Sequence, residues 1–464
     1  MTLSAKLRLP SLGFVAGAAV ALAGLAIGAT SLGDNSFLTH LATGRFILHH
    51  GIPRQDPYSF TAPGHAWVVQ SWLPSLVYGL VDRWWGGHGL VLLRALQTLA
   101  LGALVWRLTR PAETLISRIV AVVPVLFVGA VLWTSRPLLF GLLLLACCVV
   151  LAEEDRPSPW WLVPIGWLWV NSHGSFPFGP LYFLCRLVGR RLDGGAGSGG
   201  RLARLLSFSV AGVVVGALNP LGLRLLTFPA HVLGQREVLS RVVEWRSPNF
   251  SEPWNLAFLA EVVLALLLLV RRPSWEDGIV AAVFGVAGAL ALRNTVVASI
   301  AITPVLARGV RGIGSVRGER RSRVALAALV AMAVLGVSVV SQTFGRPAYE
   351  LERYPVAELR WMGQQGLLAR RVAAQDYVGN LRTLREGPRH EVFMDDRYDM
   401  YPARVSKDFL ALDEGRPRSL SILDRHRIDV VLWDRHKPLA ALVSLDPRWR
   451  VVHRTKRWIV AERA

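Results

Sequence analysis

Long apolar runs, separated by short polar segments, recur along the chain up to about residue 344. A helix that crosses a bilayer needs about 20 consecutive apolar residues. The pattern therefore predicts an α-helical polytopic membrane protein with about eleven transmembrane helices. The predicted spans are residues 12–33, 88–106, 115–134, 137–152, 159–173, 175–189, 205–219, 255–270, 277–293, 294–309 and 324–343.

Basic residues cluster in every second loop between these spans. Cytoplasmic loops of membrane proteins carry an excess of lysine and arginine, so this alternation predicts the orientation. The N-terminus is expected in the cytoplasm and the C-terminus outside. The predicted cytoplasmic clusters are Lys6 and Arg8; Arg107, Arg110 and Arg118; Arg190, Arg191, Arg201 and Arg204; Arg271 and Arg272; and the run from Arg308 to Arg323.

Residues 67–84 are also apolar and have two interpretations. As a twelfth span they would reverse the alternation of the basic loops. As a helix lying in the membrane interface they would preserve it, and tryptophans suit that position. We favour the interfacial helix, with Trp67, Trp72, Trp84 and Trp85 as anchors.

The pattern changes after residue 343, where apolar runs shorten and charges intersperse. Residues 345–464 are expected to form a small soluble extracytoplasmic α/β domain. Residues 1–344 then form a multi-span membrane domain with a large first outer loop, residues 34–87. The predicted strands are Glu391–Asp395, Ile428–Trp433, Arg450–Arg454 and Trp458–Ala461, and the predicted helices are residues 355–368 and 436–445.

Composition supports the membrane class. Hydrophobic residues make up 52% of the 464 residues, and mean hydropathy is +0.39, which is unusual for a soluble globular protein. The net charge of +20 lies in short loops between apolar runs, which argues against nucleic-acid binding. All three cysteines lie inside apolar segments, so neither a disulfide framework nor a cysteine metal site is predicted.

On the predicted topology, most polar motifs fall at the outer ends of the spans. Each has a simpler structural interpretation: Asp34 as a helix N-cap, the arginines as side chains that reach the headgroups, and the others as turns or surface positions. The motifs are Asp34, Asp56, Arg136, Asn171-Ser172-His173-Gly174, Asn219-Pro220, Glu244-Trp245 and Arg293-Asn294.

The first outer loop resembles that of the GT-C glycosyltransferase superfamily. Asp34 lies at the outer end of the first span, an amphipathic stretch (HLATGRFIL) follows, and a turn then reads GIPRQDPYS. The superfamily includes protein O-mannosyltransferases, aminoarabinose transferases and oligosaccharyltransferases, and the loop is most similar to bacterial members. The chain departs from the pattern at Asn35, where relatives often have a second acid, and at residues 70–74, where they often have Lys-Pro-Pro.

The resemblance implies transfer of a sugar from a polyprenyl-phosphate donor to an extracytoplasmic glycan, lipid or protein acceptor in cell-envelope assembly. A bacterial inner-membrane protein is expected. Asp34 is then the base that takes the acceptor proton, with Asp56 as a second catalytic residue. Arginines bind phosphate by charge-assisted hydrogen bonds. The substrate-binding candidates are Arg136, Asn171, His173, Glu244, Trp245 and Arg293.

Cofactors and other functions stay open at this stage. No histidine pair has zinc-enzyme spacing, and no metal ligand is predicted, although Asp34 with Asp56 leaves a divalent cation open. A non-catalytic scaffold with a GT-C shape is one alternative. A lipid or solute transporter is another, disfavoured because ionisable groups are scarce near the middle of the spans. Residues 395–399 (DDRYD) suit either a polar-ligand site or a solvated turn.

Overall fold

The computed structural model describes residues 9–155, 157–194, 199–234, 243–316 and 318–464. The chain forms two compact units. The first comprises Met1–Ser31, Trp85–Leu226 and Val242–Ala348, and the second comprises Leu32–Trp84, Thr227–Arg241 and Tyr349–Ala464. The C-terminal segment therefore shares its compact unit with most of the first outer loop.

Helices dominate the described residues. Short 3₁₀ helices cover Arg110–Ala112, Pro159–Trp161, Val243–Trp245, Leu367–Ala369 and Gly387–Arg389. The α-helices in chain order are α1 (Leu12–Gly28), α2 (Asn35–His50), α3 (Trp72–Leu108), α4 (Leu115–Leu132), α5 (Pro137–Glu153), α6 (Leu162–Val170), α7 (Phe178–Leu192), α8 (Gly199–Val215), α9 (Arg224–Gly234), α10 (Pro253–Arg271), α11 (Trp275–Leu290), α12 (Leu292–Gly309), α13 (Arg323–Phe344), α14 (Val356–Gln364), α15 (Asp376–Glu386), α16 (Ala403–Asp413), α17 (Ser419–Arg425) and α18 (Pro438–Leu445).

Within the described residues, four helices are long and apolar enough to cross a membrane: Trp72–Ala112, Leu115–Leu132, Pro253–Arg271 and Arg323–Phe344. Two more, Leu12–Gly28 and Pro137–Glu153, are apolar but shorter. The five other predicted spans overlap helices of 9 to 18 residues. Residues 159–173, for example, contain a 3₁₀ turn at Pro159–Trp161 and the nine-residue α6, which ends where the chain turns at Asn171.

In the first unit, α5 and α12 carry polar residues at both ends. Arg136 precedes α5 and Arg293 lies in the first turn of α12, whereas Glu153 and Arg308 lie near their C-terminal ends. Arg308 Nη1 pairs with Glu153 Oε2 at 2.6 Å. At 1.5 Å per residue, each of these helices is about 25 Å long, so its N-terminal and C-terminal ends are that far apart.

The segment 67–84 differs from its prediction. Trp67 is buried, and the helix begins only at Trp72. It continues to Leu108 through a break at Gly86, whose φ of 62° and ψ of −158° fall where a side chain is strongly disfavoured. Trp84 and Trp85, which immediately precede this break, are exposed.

In the second unit, α2 packs closely against the first half of α3. A Cβ at Gly44 would collide with the carbonyl of Ser75, and a Cβ at Gly79 would collide with Gly44. Glycine at both positions lets the two backbones touch. Gly44 belongs to the HLATGRFIL stretch, so part of that motif serves helix packing.

The second unit also contains a four-stranded sheet in the order β1 (Val372–Ala374), β2 (Val430–Asp434), β4 (Trp458–Arg463), β3 (Trp449–Arg454). β1 runs parallel to β2, and the other neighbours are antiparallel. The last three predicted strands are confirmed within one or two residues. The first was wrong: residues 391–395 are irregular, and Val392 makes only an isolated bridge to Ser59. Sequence analysis missed β1, which is three residues long, and helices α15 to α17.

Candidate functional site

Five of the six predicted substrate-binding residues form one contact network in the first unit. They come from four separate parts of the chain. The links are an ion pair between Arg136 and Glu244, a stack of Arg293 on Trp245, and a contact between Arg293 and His173.

Local structure explains how these side chains are presented. Arg136 has an extended backbone just before α5, and Pro137 starts that helix at a position where its missing N–H costs nothing. Glu244 and Trp245 lie on a 3₁₀ turn. Leu292 N–H donates to the carbonyl of Arg246 at 2.8 Å, which ties this turn to the start of α12, where Arg293 lies.

The Arg136–Glu244 ion pair is partly open to its surroundings. The side chains are 22% and 35% exposed. A partly exposed ion pair contributes little stability because solvent screens it. A more strongly charged anion, such as a phosphate, can therefore compete with Glu244 for Arg136.

Arg293 is held on two sides. Its guanidinium carbon lies 4.4 Å from the centroid of the Trp245 ring, a cation–π arrangement. Its Nη2 lies 3.0 Å from His173 Nε2. The stack fixes the plane of the guanidinium and with it the directions in which the N–H groups donate.

His173 faces competing demands on its two ring nitrogens. Ser175 N–H donates to Nδ1 at 3.1 Å, which requires the proton on Nε2. Arg293 Nη2 approaches Nε2, which requires the proton on Nδ1, where it can donate to Ser175 Oγ at 2.9 Å. Neutral imidazole carries only one of these protons. An anion near Nε2 would resolve the competition, because Arg293 and an Nε2–H could both donate to it.

Two further polar groups lie beside Arg136, and sequence analysis missed them. The Trp133 indole and the Ser135 hydroxyl are buried. Trp133 Nε1 and Ser135 Oγ have no hydrogen-bond partner among the described residues. Buried polar groups are normally paired, so these two groups are candidates to hydrogen-bond a substrate. The WTSR segment offered no recognisable motif.

Asn171 and Asn219 stabilise turns. Asn171 is buried, and its amide donates to the Trp167 carbonyl at 2.8 Å and the Gly216 carbonyl at 3.3 Å. The Asn219 carboxamide oxygen accepts from Leu221 N–H and Gly222 N–H at 2.7 and 2.8 Å. Asn171 therefore anchors the tight turn that carries His173.

Asp34 belongs to the second unit, where it is the N-cap of α2. Its carboxylate accepts from Ser36 N–H at 3.0 Å. Burial raises the pKa of Tyr354 to about 12, and the negative charges of Asp34 and Asp396 add to the increase, whereas Arg353 opposes it. Tyr354 therefore stays protonated at neutral pH and lies in the electrostatic field of the Asp34 carboxylate.

The C-terminal segment contributes residues to the first turns of α2. Asn380 donates to the carbonyl of Asn35 at 3.1 Å and accepts from Thr39 Oγ1 at 2.9 Å. Asp396 N–H donates to the same Asn380 oxygen at 3.0 Å. Sequence analysis missed Asn380, since a lone asparagine in a helix carries no signal. It identified Asp396 only as part of the DDRYD run.

Asp56 is fully buried in the second unit and makes several contacts. It accepts from Tyr58 N–H and Ser59 N–H at 3.1 Å each, and also from the Ser59 hydroxyl. Arg397 Nη1 pairs with Asp56 Oδ1 at 2.8 Å, and Arg397 Nη2 pairs with Asp395 Oδ2 at 2.7 Å.

Aromatic rings enclose Arg397. Its guanidinium carbon lies 4.5 Å from the centroid of the Trp67 ring and 5.0 Å from that of Tyr58. Burial raises the pKa of Tyr58. The DDRYD run is therefore neither a solvated turn nor an open ligand site at Asp395 and Arg397, since both side chains are buried in an ion pair.

Among the residues that the structure describes, no group of three or more His, Cys, Asp or Glu side chains is arranged to hold a metal ion. In particular, the Asp56 carboxylate is paired with Arg397.

No protein-family model matches the chain, and no curated protein matches it in sequence. A solved structure does match in fold: the archaeal oligosaccharyltransferase AglB from Archaeoglobus fulgidus, in complex with an inhibitory peptide and a dolichol-phosphate. The match has a TM-score of 0.51 and 12% sequence identity, and it covers 91% of this chain and 69% of AglB. This chain and AglB therefore share a fold over most of their lengths.

Proposed function

We propose that this protein is an integral membrane glycosyltransferase that transfers a sugar from a polyprenyl-phosphate donor to an extracytoplasmic glycan, lipid or protein acceptor. The GT-C-like fold and the apolar helices support this proposal. AglB, which shares the fold, was solved with a dolichol-phosphate and a peptide bound. By analogy, we infer a lipid-phosphate donor for this chain.

The observation that carries the proposal is the network that joins Arg136 and Arg293. Two arginines at the N-terminal ends of neighbouring apolar helices, linked through Glu244 and Trp245, suit a lipid-linked phosphate. We propose that the donor phosphate displaces Glu244 from Arg136. It then accepts hydrogen bonds from Arg136, from Arg293 and from His173 Nε2–H.

Asp34 is the proposed base. It takes the proton of an acceptor hydroxyl or amide while the acceptor atom forms a bond to the anomeric carbon of the sugar. The bond between that carbon and the phosphate oxygen breaks, and the phosphate leaves with the electron pair. The arginines stabilise the charge that develops on the leaving phosphate. Asp56 supports this step indirectly, because its contacts hold the turn that follows α2.

The domain arrangement and topology are part of the same proposal. We propose a bacterial inner-membrane protein with about eleven crossings and a cytoplasmic N-terminus. Residues 1–344 form the membrane domain, and residues 345–464 form an extracytoplasmic domain. Contacts at the C-terminal end of α5 support placing these arginines on one side of the membrane. Arg107 and Arg110 each donate to Glu154 at 2.6 Å, and Arg308 pairs with Glu153. Arg136 and Arg293 lie at the other ends of α5 and α12.

The test is turnover of radiolabelled polyprenyl-phosphate sugars by the purified full chain. Asp34→Asn removes the base but keeps a good helix cap, because asparagine caps as well as aspartate does. We expect the variant to fold normally and to lose transfer by roughly 10²–10⁴-fold. Asp155→Asn is the matched control, since Asp155 is 98% exposed.

Other outcomes favour the alternatives. Equal turnover by wild type and Asp34→Asn would exclude Asp34 as the base. Donor binding without turnover, for every acceptor tried, would favour a scaffold that kept the GT-C shape. Absence of binding to any polyprenyl phosphate would refute the proposal, and uptake of such a lipid into vesicles without transfer would indicate a transporter.

A further inference from the structure

The first unit contains a second arginine-rich site, at the C-terminal ends of α7, α10 and α12. A cavity of about 300 Å³ opens there. Five arginines line it together with only two carboxylates, Glu276 and Asp277. The arginines are Arg186, Arg190, Arg272, Arg308 and Arg311.

Two of these arginines form structural ion pairs with carboxylates. Arg186 is buried and pairs with Glu153 and Glu276. Arg308 pairs with Glu153 at 2.6 Å and with Asp277 at 2.5 Å. Their positive charges are therefore balanced by carboxylates, and they form the inner wall of the cavity.

Arg272 has a different environment. Its guanidinium donates to the main-chain carbonyls of Arg308 and Arg311 at 3.2 and 3.4 Å, and no carboxylate of the described residues pairs with it. Arg190 pairs with Glu276 through Nε, yet its side chain is 37% exposed. Both arginines can therefore donate to an anion in the cavity without losing their structural contacts.

Apart from Ser274, the rest of the lining is apolar and includes Ala265, Leu268 and Leu269 of α10. Val270 and Trp275, next to lining residues, are strongly exposed. An exposed tryptophan beside an apolar helix end is typical of the membrane interface. The site thus combines guanidinium donors with an adjacent surface suited to acyl chains.

We propose that this cavity binds the phosphate group of an anionic phospholipid, with Arg272 and Arg190 as its donors. Basic pockets between transmembrane helices on the cytoplasmic side are known to recognise anionic lipid headgroups. The site lies at the ends of α5 and α12 opposite to Arg136 and Arg293, about 25 Å away. It is therefore separate from the proposed donor site. It rests on the membrane topology given under the proposed function but not on the transfer reaction.

The experiment measures thermal stabilisation of the purified full chain in detergent during titration with phosphatidylglycerol, phosphatidylcholine or inorganic phosphate. Saturable stabilisation by phosphatidylglycerol alone is expected. Arg272→Gln should weaken its apparent affinity about tenfold, the loss expected for one charge-assisted contact. Arg271→Gln is the matched control. It removes the same charge at the same helix end, but Arg271 does not line the cavity. It should behave as wild type.

Three results would overturn the proposal. Equal stabilisation by phosphatidylcholine would show that the headgroup charge is not recognised. Equal weakening by Arg271→Gln and Arg272→Gln would show diffuse attraction instead of a site. Inorganic phosphate that saturates the same Arg272-dependent response would identify a free anion as the ligand. Arg190→Gln provides a second variant, expected to weaken phosphatidylglycerol binding if Arg272→Gln does not fold.

Discussion

The guanidinium of Arg293 lies over the indole ring of Trp245, with 4.4 Å between its central carbon and the ring centroid. Trp245 belongs to a 3₁₀ turn, and Arg293 belongs to the first turn of α12. Because a guanidinium donates hydrogen bonds in its own plane, the stack sets the direction of these donors. One of them reaches His173.

Two substitutions of Arg293 should separate the contribution of its positive charge from that of its planar guanidinium. Arg293→Lys keeps the charge but loses the planar stack, so we expect kcat/KM for transfer to fall roughly tenfold. Arg293→Gln should lower it by roughly a hundredfold, because the charge-assisted contact to the leaving phosphate is lost as well. Steady-state kinetics with the labelled donor measure both. Arg83→Gln, which changes an exposed arginine of α3, should leave the rate unchanged. Equal rates for all three variants would contradict a role for Arg293.

Glu244 should compete with the donor for Arg136. Glu244→Gln removes the competing charge, so we expect the Kd for a polyprenyl phosphate to fall several-fold, about threefold or more. Arg136→Gln should raise the Kd about tenfold. Equilibrium binding of labelled polyprenyl phosphate measures both values. If Glu244→Gln binds the lipid more weakly than wild type, Glu244 contacts the donor directly and the displacement step is wrong.

The ion pair between Asp56 and Arg397 is expected to contribute mainly to the stability of the fold. Removal of one partner of a buried ion pair costs about 3–5 kcal/mol, because the other charge is left buried and unpaired. Arg397→Met should therefore lower the thermal stability of the full chain and expose the turn around Asp56 to proteolysis. Asp56→Asn should reduce stability and transfer together, and Glu414→Gln, at an ion pair whose side chains are 42% and 44% exposed, serves as control. A loss of kcat by Asp56→Asn at unchanged stability would instead indicate a direct catalytic role.

The second unit should also lose stability as pH rises through the mildly acidic range. Burial raises the pKa of Asp376 above its usual value of 3.8, and the Tyr398 hydroxyl, which donates to its carboxylate at 2.9 Å, opposes the increase. The folded state therefore holds this proton more tightly than the unfolded state. The favourable contribution is present below the unfolded pKa and is lost as pH rises through the folded pKa.

Asp376→Asn tests this linkage, because asparagine does not titrate. Melting temperatures of wild type and variant, measured between about pH 4 and about pH 6, should converge at the acidic end and diverge as pH rises, with the variant the more stable. Parallel curves for the two proteins would contradict the prediction. In a protein that keeps Asp376, Tyr398→Phe should enlarge the pH effect, since it removes a hydrogen bond to the charged form of Asp376.

The period and length of the apolar runs predicted most helices of the first unit, and strand patterning predicted β2, β3 and β4. The same reasoning failed at residues 391–395. Their apolar-polar pattern resembles a strand, yet Val392 bonds to the turn around Tyr58, and Asp395 pairs with Arg397. A short segment stabilised by distant contacts has no local signal. The three-residue β1 was missed for the same reason.

The sequence by itself determined where apolar helices form, which of their ends are rich in arginine, and that Asp34 caps α2. Each depends on residues close together in the chain. Only the tertiary structure decided that Arg136 meets Glu244, that Arg293 lies between Trp245 and His173, and that Asp56 is held by Arg397. These pairs are distant in sequence, and their contacts depend on how helices and turns pack, which periodicity and local propensity do not encode.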